Sequence, residues 1–383
     1  MNDTELIIIG SGPAGVSAAE AFRQHNHDGR VQIVTDDAAL PYERPPLSKE
    51  FLRGDAEPGD AELHPAQWFD ENNIELVRTT GVEHIDPARH QLTAAGIRHS
   101  YRSLVLACGA KPSGFPVRGG EKALQLRSMA DAQALRKAAT KAGAAVVVGA
   151  GFIGCEAAAS LAMRGVATTL VAPDPVPQAK RLGDEAGERI KRLVADAGAR
   201  YVGSAHVSEV TDEAVHLDNG TRIDCDLVLA ATGVTPQSDL AANAGIDTRD
   251  GRIVVDARMR TSVDNVYAAG DVALAYNSLA DRPVAVEHWQ DAMDQGALAG
   301  AAAAGRDGEW DAIPGFWTTI GEATLKYHAW GDGFDRARLI EHSGGFTAWY
   351  EARGVTVGVL TFNADDDYDR GEKLIRDRKP IPF

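Results

Sequence analysis

The stretch Leu6-Ile7-Ile8-Ile9-Gly10-Ser11-Gly12-Pro13-Ala14-Gly15 stands near the start of the chain, and Ala145-Val146-Val147-Val148-Gly149-Ala150-Gly151-Phe152-Ile153-Gly154 repeats its pattern further on. In each, an apolar run of buried-strand character meets GxGxxG and then an alanine-rich helical segment, which is the setting this motif needs. The first glycine makes the tight turn, the second lets a pyrophosphate approach the backbone, and the third lets helix and strand pack closely. The helix start then offers N–H groups and a positive dipole end to phosphates. Two such units in one chain point to two dinucleotides, and two dinucleotides to electrons passing between them.

With 383 residues, 44% of them hydrophobic, the chain is long enough for two or three domains with their own cores. A formal net charge of −16 disfavours nucleic acid and anionic membrane as partners. No apolar stretch is long enough to span a bilayer, and no signal-like pattern precedes the first strand, so a soluble, cytoplasmic protein is expected. The cysteines Cys108, Cys155 and Cys225 are isolated from one another, which suggests neither a dithiol centre nor a metal site. Each reads as a packed thiol beside a strand.

The first βαβ unit runs from Leu6–Ile9 through a helix from about Ala14 to His25 into Val31–Val34. Asp36 follows, about twenty residues past Gly15, where an acid can bond an adenosine ribose; the alternative is a surface turn. Pro41–Leu52, PYERPPLSKEFL, reads as a rigid entry to a helix. The near-repeat LVLACGAKP and LVLAATGVTP, with strands Ser103–Ala107 and Leu227–Ala231 ending at Gly109 and Gly233, supports two related units. The second runs from near 113 to 234. The strand of TSVDNVYAAGD ends in Gly270-Asp271, ahead of a helical stretch, Trp289–Ala304. Beyond Trp310, alternation in Arg338–Ile340, Phe346–Tyr350 and Thr356–Phe362 reads as an antiparallel sheet, followed by a short helix from Tyr368. That tail carries Arg370, Lys373, Arg376, Arg378 and Lys379, either a docking patch or an ordinary solvated helix face.

Taken together, the glycine motifs, PYERPPLSK, the paired LVLA strands, TSVDNVYAAGD and EHWQ resemble the FAD-dependent, NAD(P)H-using ferredoxin reductases of bacterial oxygenase systems, the putidaredoxin- and rubredoxin-reductase type. The resemblance implies an α/β chain with two Rossmann-like, glutathione-reductase-type nucleotide-binding domains plus a C-terminal α+β domain. FAD would take 1–112 and 235–309, NAD(P)H 113–234, and the C-terminal domain 310–383. It implies FAD and NADH or NADPH as cofactors, no metal, and a ferredoxin-type iron–sulfur carrier as partner, and it leaves a homodimer open. Gly10, Gly12, Pro13, Ala14 and Gly15 would cradle the FAD pyrophosphate and Asp36 the adenosine ribose. Arg44, Val82, Ala107, Gly109, Arg127, Gly270 and Asp271 would also lie along FAD, and Trp289 at the flavin edge. Lys49 would stand near flavin N5. Gly149, Gly151, Phe152, Ile153, Gly154 and Gly233 would receive NAD(P)H, with Glu156 paired to Lys49 beside the nicotinamide.

The chemistry of that pair has its own logic. A lysine near N5 favours the reduced flavin, and a buried lysine needs a carboxylate to keep its proton. Taken alone, Glu156 also reads as a first-turn helix acid and Lys49 as a surface lysine. Related flavoproteins that work through a thiol carry cysteine where this chain has Lys49, so electrons are expected to leave the flavin directly, one at a time. Ala172 stands where NADH enzymes of the type place a glutamate, and no arginine replaces it, so both nucleotides stay open; the acidic surroundings lean to NADH. The usual FWSDQ is Phe316-Trp317-Thr318-Thr319-Ile320 here. A quinone or dye reductase, and a flavin-bearing regulator like the apoptosis-inducing flavoproteins, are the alternative readings.

Overall fold

The structure, a computed structural model, describes residues 4–382. Its contacts divide the chain into two compact units. The residues up to Glu43, Glu62–Lys111 and Thr235–Pro314 form the first; Arg44–Ala61, Pro112–Val234 and the residues from Gly315 on form the second.

In the first unit, four parallel strands lie in the order Ile74–Val77, Val31–Val34, Thr4–Ile9 and Ile97–Leu106, and Val266–Ala268 adds to the last in parallel. Leu6, Ile7 and Ile8 are wholly buried, as expected of a parallel sheet covered on both faces, whose strands read as unbroken apolar runs. The helix Pro13–His25 follows the first strand, with proline in its first turn, where no N–H is needed. Its C-terminal end is held by Arg23, whose buried guanidinium donates to the carbonyls of Asn26, His27, Gly29 and Asn73. Across it lies the helix Trp289–Ala303. A Cβ on Gly296 would overlap the Ala14 carbonyl oxygen, and one on Gly300 that of Ala18. Two glycines one turn apart therefore set the closeness of this crossing.

The second unit repeats the plan. Its parallel strands run in the order Arg200–Val202, Ala167–Val171, Ala144–Val148, Leu227–Ala230, with the helix Phe152–Met163 after Ala144–Val148. The five C-terminal strands, Gly315–Ile320, Ala323–Ala329, Arg336–His342, Gly345–Ala352 and Val355–Phe362, form one antiparallel sheet, as the alternation predicts for its last three.

This division differs from a three-domain plan in two respects. The C-terminal sheet shares one apolar core with the nucleotide-type fold: Ile320, Leu325, Tyr350 and Leu360 lie in the cluster of Leu161, Leu182 and Ile190. The segment Arg44–Ala61 joins them through Leu52 and through polar ties. Arg164 donates to the carbonyls of Leu52 and Arg53, Arg136 to that of Ala56, and Ser160 Oγ to that of Ser48.

The final helix, Asp365–Arg376, starts on Asp365, Asp366 and Asp367 and carries Lys373 and Arg376 in its last turn. Acids in the first turn and bases in the last match the helix dipole.

Gly300→Ala is expected to lower stability by about 1–3 kcal/mol, the usual cost of overpacking, read as a lower denaturant midpoint; Ala301→Ser, one residue on, serves as the control with little change.

Candidate functional site

Each unit holds the same turn. Gly10 N donates to the Val34 carbonyl at 2.8 Å and Ala107 N to that of Ile9 at 2.9 Å. In the second unit Gly149 N donates to the Val171 carbonyl at 2.8 Å and Ala231 N to that of Val148 at 2.8 Å. Gly10 and Gly149 have φ of +109° and +103°, and a Cβ on either would overlap a backbone carbonyl oxygen, of Ala107 and of Ala231 respectively. A Cβ on Gly15 or Gly154 would overlap the carbonyl of the first glycine of its own motif. Gly151 differs: a Cβ there meets nothing nearer than Gln178 Nε2 at 3.8 Å. Its missing side chain leaves room beside the turn. Gly12 and Gly151 sit at the helix N-caps with no side-chain cap, so first-turn N–H groups remain for an anion. Both turns fit a dinucleotide pyrophosphate.

Among the other predicted residues of the first unit, Gly270 approaches the motif helix, where a Cβ on it would lie 3.1 Å from Ala14 Cβ. Asp36 lies exposed just past Val31–Val34, while its neighbour Asp37 accepts from Tyr42 Oη at 2.8 Å and Ala39 N at 3.0 Å. Val82 opens a hairpin strand. The carbonyls of Cys108 and Gly109 accept from Gln237 Nε2 and N, both at 2.9 Å. Gly270 N donates to the buried Gln295 Oε1 at 3.0 Å, and the Asp271 carbonyl accepts from Arg252. Trp289 is the half-buried first residue of its helix.

In the second unit, Phe152 and Ile153 begin the motif helix, with Ile153 45% exposed and the Phe152 ring edge-on to Phe316 at 4.8 Å. Gly233 accepts from Ser113 N at 2.9 Å. Arg44 Nη1 donates to the Arg127 carbonyl at 3.3 Å, so these two cationic residues, 83 apart in sequence, are neighbours.

Lys49 and Glu156 also meet, with Nζ 3.0 Å from Oε2 and side chains only 8% and 5% exposed. Lys49 follows the turn Pro45–Ser48, whose prolines bend the chain so that Nζ returns to the Pro45 carbonyl at 2.8 Å. Glu156 Oε2 also accepts from Ser48 Oγ at 2.6 Å; Oε1 accepts from Thr318 Oγ1 at 2.6 Å and from Thr319 N at 3.3 Å. Four donors thus surround one buried carboxylate, and the two short hydroxyl bonds are of the length expected for an ionised acceptor. Ser48, Thr318 and Thr319 were not among the expected site residues. Ser48 lies inside the LSK motif, and the TT of FWTTI marked the place of Thr318 and Thr319, but nothing local tied either to Glu156.

The cysteines are free. Burial, with the charge of Asp36 adding to it, pushes the Cys108 thiol up to about 12. Burial pushes the Cys155 thiol up as well, and that of Cys225. All three stay protonated at neutral pH, which suits packing rather than thiolate chemistry.

The sequence matches the pyridine nucleotide-disulphide oxidoreductase family over residues 4–296. The chain belongs to that family. It is an oxidoreductase, and membership implies FAD and NAD(P)H as the two dinucleotides, which the paired turns fit. It is 30% identical to a rubredoxin-NAD(+) reductase of Pseudomonas putida over 84% of this chain and 85% of that protein. Its fold matches the ferredoxin reductase for the CYP199A2 system of Rhodopseudomonas palustris with a TM-score of 0.93, at 31% identity over 99% of this chain and 96% of that one. The reductase of a covalent putidaredoxin reductase–putidaredoxin complex matches with a TM-score of 0.93, at 29% identity over 100% of this chain and 95% of that one. The resemblance drawn from the motifs is borne out. Among the described residues no helix is long and apolar enough to cross a membrane.

Glu156→Ala strands a buried ammonium and is expected to destabilise the protein by about 3–5 kcal/mol, whereas the double variant Lys49→Met/Glu156→Leu recovers most of that loss. Chemical unfolding of wild type and both variants checks it.

Proposed function

We propose that this chain is an NAD(P)H-dependent FAD reductase of the cytoplasm that passes electrons singly to a ferredoxin-type iron–sulfur protein. The observation that carries the proposal is the buried Lys49–Glu156 pair. Of the three ammonium N–H groups of Lys49, one goes to the Pro45 carbonyl and one to Glu156. The third has no acceptor among the described residues, and it is the donor we assign to flavin N5. When bound, FAD takes up an electron pair as hydride from the nicotinamide and releases electrons one at a time.

The residues divide the work. Gly10, Gly12 and Gly15, with the start of their helix, hold the FAD pyrophosphate, and Asp36 accepts from the adenosine ribose. Gly149, Gly151 and Gly154 do the same for the nicotinamide dinucleotide. Lys49 sets a fixed positive charge where negative charge accumulates on reduction, an arrangement that needs no reorganisation at the moment of transfer. Trp289 covers the flavin edge. The three protonated, separate thiols support direct electron exit over a dithiol relay. The relatives' ferredoxin, rubredoxin and putidaredoxin partners support a small iron-containing carrier as acceptor.

We favour NADH as donor. Ala172 is buried and brings no cation to the end of Ala167–Val171. Beyond it, Tyr201 Oη and Ser204 N bond the Asp174 carbonyl, at 2.7 and 3.2 Å, and hold an acidic residue past that strand end, where we assign the ribose. Lys180, one of the two cations there with Arg181, lies 3.7 Å from Asp174. A carboxylate there repels a 2′-phosphate.

Anaerobic stopped-flow reduction of the FAD-loaded protein tests the proposal. Rapid bleaching by NADH and slower bleaching by NADPH, followed by reoxidation with oxidised ferredoxin, is the expected result. Slow bleaching by both nucleotides overturns it and favours a redox regulator.

A further inference from the structure

We propose that Thr318, on the first strand of the C-terminal sheet, is a positioning residue of the reduction site, its hydroxyl orienting the Glu156 carboxylate that Lys49 faces. The inference rests on the reading of Lys49 as the flavin's partner.

A glutamate's terminal torsion is broad and roughly two-fold, so its donors must set the plane of the carboxylate. Here the two oxygens are served from different chain segments. Oε2 takes Ser48 Oγ and Lys49 Nζ, while Oε1 takes Thr318 Oγ1 at 2.6 Å and Thr319 N at 3.3 Å. Thr318 provides the one short bond on its side. The strand's alternation delivers it: Phe316 and Ile320 point the same way, onto Phe152 and into the core, while the intervening Trp317 is 46% exposed. Thr318 itself is 1% exposed, so no water takes over its role freely.

The electrical effect has a definite sign. A hydroxyl dipole aimed at Oε1 offsets part of the carboxylate's negative charge. Removing it leaves more of that charge uncompensated beside Lys49, which weakens the positive field that favours the reduced flavin. A threonine kept only for strand packing has no such effect, since valine has nearly the same shape.

The experiment compares Thr318→Val, Thr318→Ser and Lys49→Met in the FAD-loaded protein. Three quantities are read: the flavin midpoint potential, the rate of flavin reduction at saturating NADH, and the Kd for NADH. Thr318→Val is expected to lower the equilibrium constant for flavin reduction roughly tenfold, about 30 mV for a two-electron couple. The saturating rate falls, Kd holds, and Thr318→Ser returns both potential and rate to wild type. Lys49→Met shifts the potential downward and by more. An unchanged potential in Thr318→Val beside a shifted one in Lys49→Met overturns the positioning role and leaves the reading of Lys49 standing. Unchanged potentials in both overturn that reading, and the positioning role with it. Should Thr318→Val fail to fold, Thr318→Ala removes the same hydroxyl from Oε1, and its potential read against that of Thr318→Ser decides.

Discussion

A carboxylate out of reach of water needs donors, and Glu156 draws them from two separated parts of the chain. Ser48 and Lys49 come from the proline-bent segment, and Thr318 and Thr319 from the first C-terminal strand. The glutamate itself rides on the helix that follows the second glycine motif. An unpaired charge at this depth would cost several kcal/mol. Satisfying it gives a physical reason for Arg44–Ala61 and the C-terminal sheet to fold with the nucleotide-type unit rather than apart from it. Ser160, Arg164 and Arg136 fasten the same segment by its backbone carbonyls. The lysine therefore sits on a heavily tied piece of chain, as a group that must hold a charge in one place requires.

The two units show how strongly one steric constraint shapes a fold. In each, a glycine turn passes so close to the end of a neighbouring parallel strand that no side chain fits. The same hydrogen bonds recur, from the first glycine to the next strand over and from the LVLA strand end back to the motif strand. The near-repeat of LVLACGAKP and LVLAATGVTP is the sequence trace of that shared geometry. Their surroundings differ. The first unit closes its cradle with a second helix, brought close by Gly296 and Gly300, and with Gln295 holding Gly270. The second builds around Glu156 and carries the antiparallel sheet on the same core.

The thiols and the surface charge complete a consistent picture of the chemistry. A family named for disulphides is represented here by a chain whose cysteines are free and separate, with burial raising each thiol's pKa. Lys373 and Arg376, set against Asp365, Asp366 and Asp367 at the other end of their helix, complement that helix's dipole.

The sequence by itself determined both glycine turns in their strand–turn–helix setting, the kinship of the two units, the antiparallel character of the C-terminal region and the want of a dithiol. These rest on local spacing: a turn, a strand period and a residue count are all read within a few neighbours. It also brought forward Lys49 and Glu156, through their places in two motifs. Only the tertiary structure decided how Glu156 is held, because Ser48 lies 108 residues away and Thr318 lies 162, and no periodicity encodes such a meeting. The same holds for the grouping of the C-terminal sheet with the second unit. A half-buried strand advertises that it has an apolar face, but which surface covers that face follows from the packing of the whole chain.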